Sequence, residues 1–234
     1  MSYEVRTSPA FDAWLEGLND IVARDAITAR IARVRRGLFG DRRSVGDRVS
    51  ELRVDVGQGY RLYYTMRGRT VILLLCGGSK KSQTADIRKA EAMVKAADKK
   101  RGSGGSRVRE QQAGYAAEPG EPVITDEDLV FTPFDAADYL ERDSSQIYLL
   151  RDAFSSGHPA YIADAIGAVA RARARGLSGL ERETGIKRQT LNKSLSLKGN
   201  PTLETLMTVL GALGLRLEIV AAEATSSEHE RATS

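Results

Sequence analysis

The chain has 234 residues, a length that predicts two domains of about a hundred residues each. Hydrophobic residues make up 41% and charged residues 28%, which are ordinary globular values. The longest apolar run, Val71 to Cys76, is too short to cross a membrane, and no apolar stretch near the N-terminus predicts a secretory signal. The single cysteine excludes an internal disulfide and a multi-thiolate metal site, so we expect a cytoplasmic protein without cofactor or metal.

The charge is distributed unevenly along the chain. Residues 1–101 carry 21 Lys and Arg against 12 Asp and Glu, a net of +9, whereas residues 102–165 carry 4 against 12, a net of −8. Residues 166–200 carry 8 against 2, a net of +6, and the remainder carries 2 against 5, a net of −3. Two basic blocks around an acidic block predict two polyanion-binding surfaces, with an acidic segment that packs against the first.

The first half has the pattern of an α+β domain. Its predicted elements, in chain order, are strand 3–7, helices 9–19 and 20–36, strands 49–56, 60–66 and 69–76, and helix 84–99. Turns of two or three residues join the last three strands, which favours an antiparallel meander over a parallel winding. We expect Gly77 and Gly78 to break the last strand.

A Gly-Ser tract at residues 102–106 predicts a flexible linker over residues 102–125. The second half is predicted as an acidic helical segment (126–165), a helical domain (166–221) and a disordered tail (222–234). Its predicted elements are helices 143–156, 159–176, 178–184, 187–195 and 201–214, and a short strand at 215–220.

Residues 178–195 have the spacing of a helix-turn-helix, because two short helices flank a tight turn at Gly185. Lys and Arg can pair with phosphate or guanine, and Gln and Asn can bind adenine through two hydrogen bonds. The predicted DNA-binding residues are Ser178, Lys187, Arg188, Gln189, Thr190, Asn192 and Lys193. The alternative is a basic helical hairpin that packs without binding nucleic acid.

Several motifs of the second half occur in the order seen in one family of helix-turn-helix proteins. They are Pro133 to Leu140, Thr184-Gly185-Ile186-Lys187-Arg188-Gln189-Thr190-Leu191, Gly199-Asn200-Pro201, and Leu210 to Leu215. Residues 130–221 thereby resemble HigA-type antitoxins, the addiction module antidotes. The resemblance implies a DNA-binding repressor of its own operon, expected to act as a homodimer, that neutralises a toxin.

Motifs of the first half resemble the partner of such antitoxins. They are Glu51-Leu52-Arg53-Val54-Asp55, Gly59-Tyr60-Arg61-Leu62-Tyr63-Tyr64, Arg67-Gly68, and Leu73 to Gln83. Residues 1–98 are similar to HigB/RelE-superfamily toxins of the phage-derived killer-protein branch. The resemblance implies a small α+β ribonuclease fold and cleavage of mRNA on the bacterial ribosome. It also implies that the two halves are usually separate chains.

Cleavage of RNA by the adjacent 2′-hydroxyl needs a base, an acid, and cations for the dianionic phosphorane. Arg53 and Arg61 on neighbouring strands are suited to hold the phosphate, because arginine stays protonated. Lys80 or Lys81 is the best available base or acid, and Tyr64 is a weaker candidate. This half has no histidine, so the base and the acid stay unassigned, and inhibition by ribosome binding alone is an alternative.

The first hypothesis is therefore a fused toxin–antitoxin protein, whose halves contact each other within one chain or between chains. The alternative is a transcriptional repressor whose basic first half is a non-catalytic structural or binding module. A third interpretation is an engineered join of two natural chains at the Gly-Ser tract. Growth arrest on expressing residues 1–101 alone distinguishes the first hypothesis from the second.

Overall fold

A computed structural model describes residues 2–102, 122, 124–173 and 176–218 of the chain. The N-terminal half contains five strands and three helices. They are β1 (Glu4–Thr7), α1 (Pro9–Glu16), α2 (Ile21–Val34), β2 (Arg42–Gly46), β3 (Val49–Val54), β4 (Tyr60–Arg67), β5 (Val71–Ser79) and α3 (Gln83–Gly102), with a 3-10 turn at Lys80–Ser82.

The strands form one mixed sheet in which α1 and α2 cover one face and α3 covers the other. Strands β2 to β5 are antiparallel neighbours, as the meander predicted, but β1 pairs with β5 in parallel. The sheet is therefore not purely antiparallel. On one face Leu52 and Leu62 pack beneath the first two helices, and on the other Tyr63 and Leu75 pack beneath α3.

Local sequence explains where the first helices begin. Ser8 caps α1, because its side chain accepts a hydrogen bond from the Phe11 amide, and Pro9 occupies the first helical turn. Asp20 caps α2 through the Ala23 amide. These caps satisfy amide groups that a helix N-terminus otherwise leaves unpaired.

The C-terminal half, as far as it is described, is helical apart from one short strand. Its elements are β6 (Thr132–Pro133), α4 (Asp143–Ser155), α5 (Pro159–Ala172), α6 (Gly176–Thr184), α7 (Arg188–Ser194) and α8 (Leu203–Ala212), with 3-10 turns at Glu127–Leu129 and Ala136–Tyr139. Helix α5 crosses the predicted boundary between residues 165 and 166. None of the described helices is both long and apolar enough to span a bilayer.

The two halves share one sheet and one core. Strand β6 adds to the free edge of β1, and the Phe134 amide donates a hydrogen bond to the Val5 carbonyl at 3.0 Å. Helix α2 lies between the sheet and the C-terminal half, so buried residues occur around most of its circumference. A single cluster of buried side chains therefore runs from the sheet into helices α4 to α8.

The observed elements also differ from the predicted ones at β2, at the end of β5 and after α8. The edge strand β2 was missed, because its residues Arg42 to Ser44 are exposed and polar. Gly77 and Gly78 do not break β5, which continues to Ser79. Residues 215–218 form no strand, because the Leu215 amide bonds the Leu210 carbonyl and closes the end of α8. Residues 103–121 and 123 of the predicted linker (102–125) lie outside the described residues, as do residues 219 and 220 of the predicted strand and the predicted tail (222–234).

Candidate active site and nucleic-acid interface

The register between β3 and β4 places Arg53 directly opposite Arg61. Both side chains lie on the sheet face that α3 covers, together with Glu51 and Tyr63, because alternate residues of a strand share a face. The Arg53 side chain is 31% exposed and that of Arg61 is 13% exposed. The structure thus brings together the two arginines that the sequence selected as phosphate ligands.

A carboxylate that the sequence analysis did not select lies between these arginines. The Glu51 side chain is fully buried. Its Oε1 accepts a hydrogen bond from Arg53 Nε at 2.9 Å, and its Oε2 lies 3.5 Å from Arg61 Nε and accepts one from Gln83 Nε2 at 3.1 Å. The bond to Glu51 raises the pKa of the Arg53 guanidinium. We call Glu51, Arg53, Arg61 and Gln83 the Glu51 cluster.

Lys80 and Lys81 are exposed in the 3-10 turn that joins β5 to α3. The Ser79 hydroxyl caps this turn by accepting a hydrogen bond from the Lys81 amide at 3.3 Å. The turn lies next to the Glu51 cluster, because Arg61 is opposite Gly78 in the sheet and Gln83 is the first residue of α3. Four of the five predicted catalytic residues therefore belong to one region.

Tyr64 does not belong to that region, which corrects the prediction. Its side chain is buried on the opposite sheet face, where its ring centroid lies 6.3 Å from that of Phe39. Tyr63 lies on the same face as the Glu51 cluster and is fully buried. Burial, with the nearby charges of Asp86 and Glu51, raises the pKa of the Tyr63 hydroxyl, which therefore stays protonated and enclosed.

Strand alternation would have identified these residues. Arg61 and Tyr63 are two positions apart, as are Glu51 and Arg53, so each pair shares a face once the strand is assigned. Gln83 carries no such signal, because its contact with Glu51 depends on how α3 packs. Among the described residues, no group of three or more His, Cys, Asp and Glu side chains is placed to hold a metal ion.

Helices α6 and α7, which the sequence predicted as a helix-turn-helix, contact each other and flank a short turn. Gly185 adopts a positive φ of 71° in the turn, which a side chain would disfavour. Leu180, Leu191 and Leu195 are buried and hold the two helices on α5 and α8. All the predicted DNA-binding residues are exposed: Ser178 on α6, and Lys187, Arg188, Gln189, Thr190, Asn192 and Lys193 on or beside α7.

The acidic segment packs against α2, not against the Glu51 cluster. Asp152 Oδ2 accepts hydrogen bonds from Arg33 Nε and from the Tyr161 hydroxyl, both at 2.7 Å. Asp164 lies 3.3 Å from Arg35 Nη1, and the Ala160 carbonyl accepts bonds from the Arg36 guanidinium. The expected attraction between the acidic and basic blocks is therefore present, but it acts mainly on Arg33 at the end of α2 and on Arg35 and Arg36 just after it.

The comparison with family models concerns the C-terminal part of the chain, which contains α4 to α8. Residues 130–221 match the family described as "Probable addiction module antidote protein". A relative in Haemophilus influenzae, described as an uncharacterized protein, is 43% identical over 94 residues, which are 40% of this chain and 95% of the relative.

A second uncharacterized protein of the same organism is 36% identical over 86 residues, which are 37% of this chain and 87% of that relative. No solved structure matches the chain significantly. The match of residues 130–221 to the addiction module antidote family supports a toxin–antitoxin context for the chain.

Proposed function

We propose that the chain is a toxin–antitoxin protein in a single polypeptide. In this proposal the N-terminal half is an endoribonuclease that cleaves mRNA on the bacterial ribosome, and the antidote-family half neutralises it and represses the operon. The observation that carries the proposal is the docking of an antidote-family segment on a half in which two arginines lie directly opposite each other on neighbouring strands. An antidote implies a toxin, and here the docked partner is part of the same chain.

The chemistry proposed for the Glu51 cluster is transfer of the scissile phosphate to the adjacent 2′-oxygen. The 2′-hydroxyl loses its proton as its oxygen bonds to phosphorus, and the 5′-oxygen leaves and takes up a proton. Arg53 and Arg61 stabilise the dianionic phosphorane. Lys80 and Lys81, exposed beside the cluster, are the groups assigned to proton transfer.

The proposed neutralisation leaves the Glu51 cluster open. The ion pairs of Arg53 and Arg61 go to residues of the N-terminal half, whereas Asp152 and Asp164 of the C-terminal half pair with Arg33 of α2 and with Arg35 just after it. Neutralisation then acts through the bulk of the docked half, which excludes the toxin from a large partner such as the ribosome. Covering of the arginines by acidic residues is not required.

Expression of residues 1–101 alone, under tight control, tests the toxin proposal. We expect growth arrest and loss of protein synthesis, with the full chain harmless at the same level. Arg53→Ala with Arg61→Ala in the short chain is expected to abolish arrest, since a lost transition-state phosphate contact typically costs about 10²–10³ in rate. Normal growth with soluble, folded residues 1–101 supports the repressor alternative, and arrest by the double variant removes the two arginines from the site.

The DNA-binding role is tested with the full chain and the DNA upstream of its gene. We expect a dimer on a palindromic site with half-sites about one helical turn apart. Arg188→Ala with Gln189→Ala is expected to relax sequence preference by about 1–3 kcal/mol per lost base contact. Lys193→Ala is expected to weaken binding to all sequences and to lower the salt slope by about one. Equal binding of the native chain to random DNA contradicts this role.

A further inference from the structure

The proposed chemistry uses the cations of the Glu51 cluster but not its carboxylate. We propose that Glu51 is a positioning residue that orients Arg53 and Arg61 toward the phosphate of an RNA substrate. This inference rests on the proposed function of the N-terminal half. It assigns to Glu51 the task of making a closely spaced arginine pair act as one phosphate ligand.

The arginine pair needs a counter-charge to be stable where it lies. Arg53 and Arg61 are directly opposite in an antiparallel ladder, and like charges in such a pair repel each other. Glu51 precedes Arg53 by two residues on the same strand face, so one of its oxygens lies beside each guanidinium. The carboxylate therefore offsets the repulsion: it accepts a hydrogen bond from Arg53, and its charge lies 3.5 Å from the buried Arg61 Nε, which has no hydrogen-bond partner among the described residues.

The contacts with Glu51 involve the Nε atoms of the arginines and leave the terminal Nη atoms for a substrate phosphate. Glu51 contacts each arginine through its Nε atom, at 2.9 Å for Arg53 and 3.5 Å for Arg61. The terminal Nη atoms of an arginine so held remain available for a phosphate, which guanidinium groups bind through parallel N–H bonds. Arg53 Nη1 forms an ion pair with the exposed Asp41 carboxylate at 3.7 Å, which is beyond hydrogen-bond distance.

Glu51 itself is placed to act through the arginines rather than on RNA. Its side chain is fully buried, so it does not contact a ligand bound from solvent. Gln83, at the start of α3, donates a third contact to it at 3.1 Å. A buried carboxylate is tolerated when its oxygens are paired in this way, and here the pairing also links β3, β4 and α3.

The test measures two ligands on the full chain. One is a uridine–vanadate complex, whose five-coordinate vanadium resembles the phosphorane, and the other is a 2′-O-methyl RNA decamer, which cannot be cleaved. Glu51→Gln is expected to lower the affinity for uridine–vanadate about 10-fold or more, because the arginines lose their orientation. The affinity for the decamer is expected to change less than about 3-fold, because the positive charges remain and dominate backbone binding.

Glu4→Gln is the matched control. Glu4 also precedes an arginine by two residues on a strand and accepts a bond from its Nε, at 2.6 Å for Arg6, but this pair is exposed on β1. It is expected to change neither affinity. Gln83→Ala, which removes one bond from Glu51 without removing a charge, is expected to give a smaller loss for uridine–vanadate and none for the decamer.

Thermal unfolding of each variant separates positioning from stability. The positioning role is overturned if a variant loses affinity for both ligands equally and its Tm falls in proportion. It is also overturned if Glu51→Gln and Gln83→Ala both keep the native ratio of the affinity for uridine–vanadate to that for the decamer. If Glu51→Gln does not fold, Gln83→Ala decides by the same two affinities. A native chain that binds neither ligand overturns the proposed function and the inference together, whereas native binding with an unaltered preference in the variants overturns the inference alone.

Discussion

Replacing Asp152 by alanine is expected to weaken the contact between the two halves by about 2 kcal/mol. The bond from Arg33 Nε to Asp152 Oδ2 is charge-assisted, and such bonds contribute about 1.5–3 kcal/mol. The Arg33 side chain is 32% exposed and that of Asp152 is 20% exposed, so solvent screening keeps the value in the lower part of that range. In the variant the Tyr161 hydroxyl loses its hydrogen bond to Asp152 but retains the one to the Ala29 carbonyl at 3.2 Å.

The measurement uses the halves as two chains, residues 1–102 and 122–234, mixed in a calorimeter. A loss of about 2 kcal/mol corresponds to a dissociation constant about 30-fold higher. Asp126→Ala is the control, since Asp126 is 84% exposed and lies 3.4 Å from Lys100 Nζ across the same interface. We expect it to change the constant less than about 2-fold. Equal effects of the two substitutions, or no effect of Asp152→Ala, refute the assignment of Asp152 as the main ionic contact.

Two further substitutions test packing and burial. Gly77→Ala is expected to lower the free energy of unfolding by about 1–3 kcal/mol, because a Cβ there would lie 2.2 Å from the Trp14 ring. Gly211→Ala is the control and should not destabilise the chain, because the space around Gly211 is open. A similar loss of stability in both variants would contradict the prediction. Burial raises the pKa of the Asp25 carboxyl above its usual value. The folded chain therefore loses stability as the pH rises through the raised pKa and the buried carboxyl becomes charged. Asp25→Asn should therefore gain in Tm relative to the native chain from pH 4 to pH 8, and a constant difference across that range would contradict it.

Sequence patterns predicted strands and helices best where apolar segments are bounded by turn residues or recur at helical spacing. Strands β3, β4 and β5 follow from apolar segments that short glycine-containing turns separate, and α1 follows from its apolar spacing after Pro9. Strand β2 does not, because an exposed edge strand needs no apolar face. Gly77 was wrongly predicted to end the strand, because the need for glycine there comes from tertiary packing: the Trp14 ring occupies the space that a side chain would take.

The candidate site was predicted in its cations but not in its organisation. Arg53 and Arg61 were identified from their positions on adjacent strands, and the register confirms that they are neighbours. Glu51 was overlooked because a lone carboxylate in a basic half gives no sign that it is buried between two arginines. The target of the acidic segment was also beyond sequence reasoning, since net charge does not distinguish the arginines of α2 from those of the Glu51 cluster.

Strand β6 has a consequence for the order in which the chain folds during synthesis. The strands up to Ser79 leave the ribosome before Thr132 and Pro133 exist, so the outer edge of β1 is at first without a neighbour. At about 5–20 residues per second, the roughly 70 residues between Gly102 and Ala172 take about 4 to 14 seconds to make. During that interval the nascent N-terminal half exposes both an unpaired strand edge and the α2 surface. Because the two halves are on one chain, each molecule passes through this interval once, after which its own C-terminal half covers the strand edge and the α2 surface.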